Sequence, residues 1–168
     1  KVTYCPYLST KPVPFGGTGV TGASQIHNIT ALTYHCTIQE AIDAADDNDV
    51  IELSGTIDQT SIVDVNKPLT IQGMGINSTT LELSSSWYNA GATAFTLSAP
   101  NITIKDIYFK IVGKGSGNIL GIFQSNTVIQ NNKFSGEYVF GDGEVTRAGV
   151  WSSNNMTGLV FDNNIIDS

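Results

Sequence analysis

The sequence predicts an all-β domain built as a parallel β-helix, a solenoid of about four to five coils. Three observations predict it. Most of the chain reads as strand-like stretches of three to five residues, rich in β-branched side chains and bracketed by Gly, Asn, Ser or Pro. No helix-sized segment separates these stretches, which argues against a βαβ sheet. One phrase also returns: "TVIQNNKF" at 127–134 and "LVFDNNII" at 159–166 share apolar residues, a polar residue and an Asn pair.

Residues 1–36 read as an irregular N-terminal arm. "KPVPFGGTGVTGAS" is rich in Pro, Gly and small polar residues. Its apolar residues, among them Tyr4, Tyr7, Leu8, Val13 and Phe15, are too many for a free linker, so the arm is expected to pack on its own domain or on a neighbouring chain. Cys5 and Cys36 are the two cysteines, and a disulfide between them would pin the arm to the start of the domain. Such a bond implies an oxidising compartment.

The one helix expected lies in "TIQEAIDAADDND". Thr37 and Glu40 have the spacing of a capping box. Ile38, Ala41, Ile42 and Ala45 fall on one stripe. Asp46, Asp47 and Asp49 lie at the unfavourable end of the helix dipole and help to end it.

Strands are expected at 50–53, 61–65, 69–72, 80–83, 94–97, 102–109, 119–123, 127–130, 148–151 and 158–161. "LTIQGMG", "ITIKDIY", "TVIQNNK" and "LVFDNNI" align, starting at residues 69, 102, 127 and 159, with Gly73, Asp106, Asn131 and Asn163 at the fifth position. The offsets of 33, 25 and 32 residues fit stacked strands whose corner loops vary in length. A second strand precedes three of the copies, closed by Asn101, Asn126 or Asn155. Asn tolerates the left-handed backbone of a corner and would bond its copy one coil away, forming a ladder.

"TIQEAIDAADDNDVIELSGTI" and "KPLTIQGMGINSTTLEL" resemble the opening of right-handed parallel β-helix proteins of the pectin-lyase-like superfamily. "NNKFSG" and "SNNMTGLVFDNNIIDS" resemble their carbohydrate-associated repeat coils. The resemblance covers residues 37–168. It implies a right-handed β-helix there, with a capping helix over 37–46, and carbohydrate as one class of ligand. It does not fix an activity, because this architecture hosts many.

Charge and composition narrow the partners. The net charge is −7, and the eight Lys and Arg are scattered, which disfavours nucleic acid. No apolar run approaches the roughly 18 residues of a membrane span. Only 14% of residues are charged, and four N-x-[ST] sequons occur at Asn28, Asn77, Asn101 and Asn155, beside expected turns. Together with the cysteines they suggest an extracellular or cell-surface glycoprotein.

Catalytic candidates are few. Asp142, Glu144 and Arg147 share "GEYVFGDGEVTR" with Glu137 and would suit acid–base chemistry or Ca²⁺ binding through oxygens. His27 and His35 precede the expected coils. Trp87 and Tyr88 in "SSSWYNAG" would suit stacking on a sugar ring, and Trp151 falls in a strand. No catalytic motif is recognisable, so whether the chain is an enzyme stays open.

The chain breaks off at "FDNNIIDS" just after a coil phrase, which would leave Leu159, Phe161, Ile165 and Ile166 on an open end. The leading expectation is a secreted or cell-surface structural glycoprotein that self-assembles as a filament or surface layer. Its arm (Tyr4, Tyr7, Val13, Phe15) and open end would meet a neighbouring chain. The alternatives are a carbohydrate-active enzyme or fragment using Asp142, Glu144 and Arg147, or a polysaccharide-binding module using Trp87 and Tyr88.

Overall fold

The computed structural model describes residues 25–84, 92–112, 117–136, 149–153 and 156–167. Strands β1 (Gln25–Asn28) and β2 (Thr33–His35) precede helix α1 (Ile38–Ala44). The strands β3 (Val50–Gln59), β4 (Val63–Val65), β5 (Thr70–Gly73), β6 (Thr79–Ser84) and β7 (Ala92–Leu97) follow. Then come β8 (Thr103–Lys105), β9 (Tyr108–Val112), β10 (Gly117–Ile122), β11 (Val128–Gln130) and β12 (Lys133–Gly136). The series ends with β13 (Gly149–Ser152), β14 (Val160–Asp162) and β15 (Ile165–Asp167).

Among the described residues the strands from β3 onward pair with one another in parallel, and they form three ladders. The first runs from the N-terminal half of β3 through β5, β8 and β11 to β14. The second runs from the C-terminal half of β3 through β6, β9 and β12 to β15. The third is β4, β7, β10 and β13. The chain visits the ladders in turn and returns to the first, giving an all-β, solenoid-like fold of parallel strands.

Alternation along each strand sets the core. In the first ladder Ile51, Ile71, Ile104, Ile129 and Phe161 lie in one register row. In the second the row is Ile57, Leu81, Phe109, Phe134 and Ile166. All but the last residue of each row is buried. Phe109 has its ring centroid 5.7 Å from Phe95, edge-on, and 5.2 Å from Phe134, stacked. Phe134 continues to Phe161 at 6.2 Å. Such offset and edge contacts add about 0.5–1.5 kcal/mol each beyond burial.

Sharp corners need left-handed backbone, and the residues there supply it. Between the first and second ladders it occurs at Gly55, Asp106, Asn131 and Asn163, with φ from 51° to 70°. Gly73, aligned with these in the sequence, stays in β5; the corner of that pass is the wider turn at Gly75, φ 110°. Gly73 is needed for a different reason, since a Cβ there would run into the Asp106 carbonyl oxygen. Between the third ladder and the first, Asn101 and Asn126 are left-handed as expected. In the next pass the equivalent residue is Gly158, φ 69°, whose missing side chain leaves room for the Asn126 amide. Asn155, expected to close that turn, lies outside the described residues.

The helix has its predicted start. The Thr37 side chain accepts from the Glu40 N–H, and the Glu40 carboxylate accepts from the Thr37 N–H. Ile38, Ala41 and Ile42 are buried, and α1 packs against β4, β1 and β2. At its other end the Lys67 ammonium donates to the carbonyls of Ile42, Asp43 and Ala45 at 2.6–3.1 Å, satisfying groups that the helix itself leaves open. This cation also offsets the acidic run behind it. Asp49 is not a solvated helix-end charge: it is buried and accepts from Asn28 Nδ2 and the Asp46 N–H.

Part of the stretch expected to be irregular is sheet. β1 pairs antiparallel with both β2 and β3, so residues 25–35 form a hairpin lying along the first ladder. Short polar strands such as "QIHN" carry no periodic signal of their own; pairing with β3 decides their conformation. His27 stacks on Tyr34, ring centroids 4.1 Å apart. Burial holds the His27 imidazole below its ordinary value; the Glu52 carboxylate opposes this and His35 reinforces it. The folded state therefore favours neutral His27. Its contribution to stability is present above the ordinary histidine value of about 6.5 and is lost as pH falls below it. Thermal melting between pH 7.5 and 5.5 should show a steeper fall in Tm for the natural chain than for His27→Phe, which keeps the stack and cannot titrate. Equal slopes would contradict this.

Candidate functional site

The last rungs are held by asparagine ladders, one outside and one inside. On the outer one, Asn163 Nδ2 donates to Asn131 Oδ1 at 2.7 Å. On the inner one, fully buried Asn132 accepts from the Ile107 N–H at 3.0 Å and donates to the Ile104 carbonyl at 3.0 Å and to Asn164 Oδ1 at 3.1 Å. Asn164 Oδ1 also accepts from the Asn132 N–H, and its Nδ2 donates to the Ile129 carbonyl at 2.8 Å. The corner N–H groups of Ile107 and Asn132 are thus satisfied by side-chain amides. The repeated "NN" of the sequence has this physical meaning.

These ladders position β14 and β15, and with them an apolar surface. Phe161 and Ile166 stand in the inward rows, yet are 44% and 61% exposed, where their predecessors Ile129 and Phe134 are fully buried. Leu159 precedes β14 as buried Thr127 precedes β11, and it is 38% exposed. Ile165 belongs elsewhere. It pairs with Lys133 in an outward row of the second ladder, where the Lys133 ammonium sits over the Tyr108 ring and 3.1 Å from Asp167. Of the four residues expected at the open end, three face along the solenoid and one faces outward. Val160, 44% exposed in the outward row beside Val128, extends the patch and was not singled out in the sequence.

A second exposed feature is aromatic. On the outer face of the third ladder, Phe123 and Trp151 meet with ring centroids 5.1 Å apart and planes tilted by 60°. They are 41% and 46% exposed. Gly121, which pairs with Trp151, makes room for the Phe123 ring: a Cβ there would stand 3.1 Å from Phe123 Cε2. The pairing depends on a register shift in β10 that no strand pattern shows.

Other expected sites fare differently. Asn28, the first of the four sequon asparagines, is buried. It is 1% exposed, its Nδ2 donates to Asp49, and its Oδ1 accepts from the N–H groups of Thr30 and Ala31. Asn77 and Asn101 lie exposed in turns. Cys36 is not a free thiol. Cys5, Tyr4, Tyr7, Val13, Phe15, Trp87, Tyr88, Asp142, Glu144, Arg147 and Asn155 lie outside the described residues. Among the described residues, no three His, Cys, Asp or Glu side chains converge as a metal site, and no helix is long and apolar enough to cross a membrane.

A scan of the chain against protein-family models finds no match, and searches of curated proteins and of solved structures find none either.

Proposed function

We propose that the chain is a right-handed parallel β-helix of about four to five coils, with α1 as its cap, that serves as a secreted or cell-surface structural glycoprotein and assembles with copies of itself. The observation that carries this reading is the exposure of Leu159, Phe161 and Ile166 at positions that continue the inward rows. Covering such side chains is worth about 1.5–3 kcal/mol each, enough to drive association when a neighbour supplies the cover. The reading includes a Cys5–Cys36 disulfide and glycans on the exposed asparagines Asn77 and Asn101.

Sedimentation velocity on the full chain tests it. Association at micromolar concentration is expected, weakened at least roughly tenfold by Ile166→Asp and by deletion of residues 1–20. Ile166 is the most exposed of the inward-row residues, so its replacement should leave the far-ultraviolet spectrum unchanged. A chain that stays monomeric up to roughly 100 µM, or whose association ignores Ile166→Asp, would sink the reading.

A further inference from the structure

We propose that the exposed face is covered by the same face of a second copy, the two chains meeting about a two-fold axis through Ile166 of β15. This rests on the self-assembly reading above and names the part of the neighbour that supplies the cover. Such a joint is isologous: each chain gives and receives the same contacts. The other surface a copy could offer is its opposite end, where β3 and β4 begin the ladders. That end is already finished. The Gln39 amide stands at the edge of β4, its Oε1 accepting from the Asp64 N–H at 2.8 Å and its Nε2 donating to the Asp64 carbonyl at 3.2 Å. The β1–β2 hairpin pairs with β3. Helix α1 packs against β4, and Glu40, Asp43, Asp46 and Asp47 are exposed on it and just behind it. Stacking Phe161 and Ile166 there would bury carboxylates at a large desolvation cost. Register opposes it too. Asp58, Glu82, Lys110, Ser135 and Asp167 share one outward row of the second ladder. A head-to-tail copy continuing that ladder would set Asp167 directly beside Asp58, like charges on adjacent strands.

Turning the second copy over removes that repulsion. Antiparallel pairing of β15 with its own copy about Ile166 sets Ile166 against the partner's Ile166, inward side to inward side. It sets Asp167 opposite the partner's Ile165. Lys133 neighbours Ile165 in the same outward row and already holds its own Asp167 at 3.1 Å. Its ammonium then has the partner's Asp167 beyond a single intervening strand, and the two-fold axis repeats this attraction. Pairing β14 with its copy about Phe161 lacks this complement. There Asp162 would face the partner's Val160, whose row runs on through Val128, Thr103, Thr70 and Val50 and holds no base. Charge therefore places the axis on β15. Growth beyond such pairs falls to a second contact, the one that deletion of residues 1–20 probes.

The test is thiol cross-linking of the full chain carrying Ile165→Cys. Ile165 is 49% exposed in an outward row, so the change should leave the fold intact. Across the proposed joint the two copies of residue 165 are diagonal neighbours, about 7–8 Å apart. Stacked head to tail they stand roughly 24 Å apart, five strand spacings of about 4.8 Å. A bismaleimide that spans the first distance and not the second is used at micromolar protein. Cys36 is not a free thiol, and the natural chain treated alike is the control. Most of the Ile165→Cys chain should become a covalent dimer, and Asp58→Lys should change the association constant by less than roughly twofold in sedimentation velocity. Thr56 begins the row that Ile165 ends. A covalent pair between Ile165→Cys and Thr56→Cys chains, identified by mass, or association strengthened by Asp58→Lys, would mean head-to-tail stacking and overturn the proposal. Association that responds to Ile166→Asp without self-cross-linking of Ile165→Cys overturns it too, and leaves the assembly reading standing. A natural chain that sediments as a monomer overturns both.

Discussion

Asn132→Ala should destabilise the chain by about 4 kcal/mol, one of the largest losses available to a single surface-neutral change. The side chain is fully buried and serves three partners: the Ile107 N–H, the Ile104 carbonyl and Asn164 Oδ1. Alanine leaves the buried Ile107 N–H without this partner, at about 1–3 kcal/mol, removes two further bonds at about 0.5–1.5 kcal/mol each, and opens a small cavity. Asn132→Leu keeps most of the volume and should cost nearly as much, which separates hydrogen bonding from packing. Asn163→Gly is the control. Asn163 is exposed, its φ of 51° suits glycine, and only the outer ladder bond to Asn131 is lost, so the cost should stay below about 1 kcal/mol. Urea unfolding measures all three. A loss under about 1 kcal/mol for Asn132→Ala would mean that water replaces the amide, and that the inner ladder is not a stabilising element.

Phe109→Ala should cost a similar amount, about 3–5 kcal/mol, through a different mechanism. Phe109 is fully buried midway along the solenoid and touches aromatic rings on two sides, Phe95 and Phe134. Its removal leaves a cavity between successive rungs, and neighbours fixed by strand register cannot collapse into it. Phe109→Leu should recover more than half of the loss. Since whole domains are held by roughly 5–15 kcal/mol, Phe109→Ala should lower the urea midpoint sharply. If Phe109→Leu proved as damaging as Phe109→Ala, ring stacking would outweigh volume, contrary to this expectation.

These two residues also show what the sequence makes legible. The repeated Asn pair announced a ladder, because a side chain that bonds its own copy must recur at the same point of each turn of chain; Asn131–Asn163 and Asn132–Asn164 do so. The capping box at Thr37 and Glu40 was equally readable, since it is local. Elements whose conformation depends on distant partners were not. β12 and β15 are three or four residues long and take their shape from β9 and from each other. The second half of β3 continues past Leu53 because β6 pairs with it. Asn28 looked like a turn sequon, yet its side chain is captured by Asp49, twenty-one residues away. Gly158 holds the left-handed corner before β14, where the Asn126 amide occupies the space a side chain would need. The Phe123–Trp151 ledge needed the register of β10 and β13, which no one-dimensional pattern contains.

The central claim is that the face formed by Leu159, Phe161 and Ile166 is a joint between copies of the chain. Negative-stain electron microscopy of the full chain at micromolar concentration tests it most directly. Filaments, rings or regular layers that disappear with Ile166→Asp are the predicted result. Isolated compact particles at every concentration would contradict it.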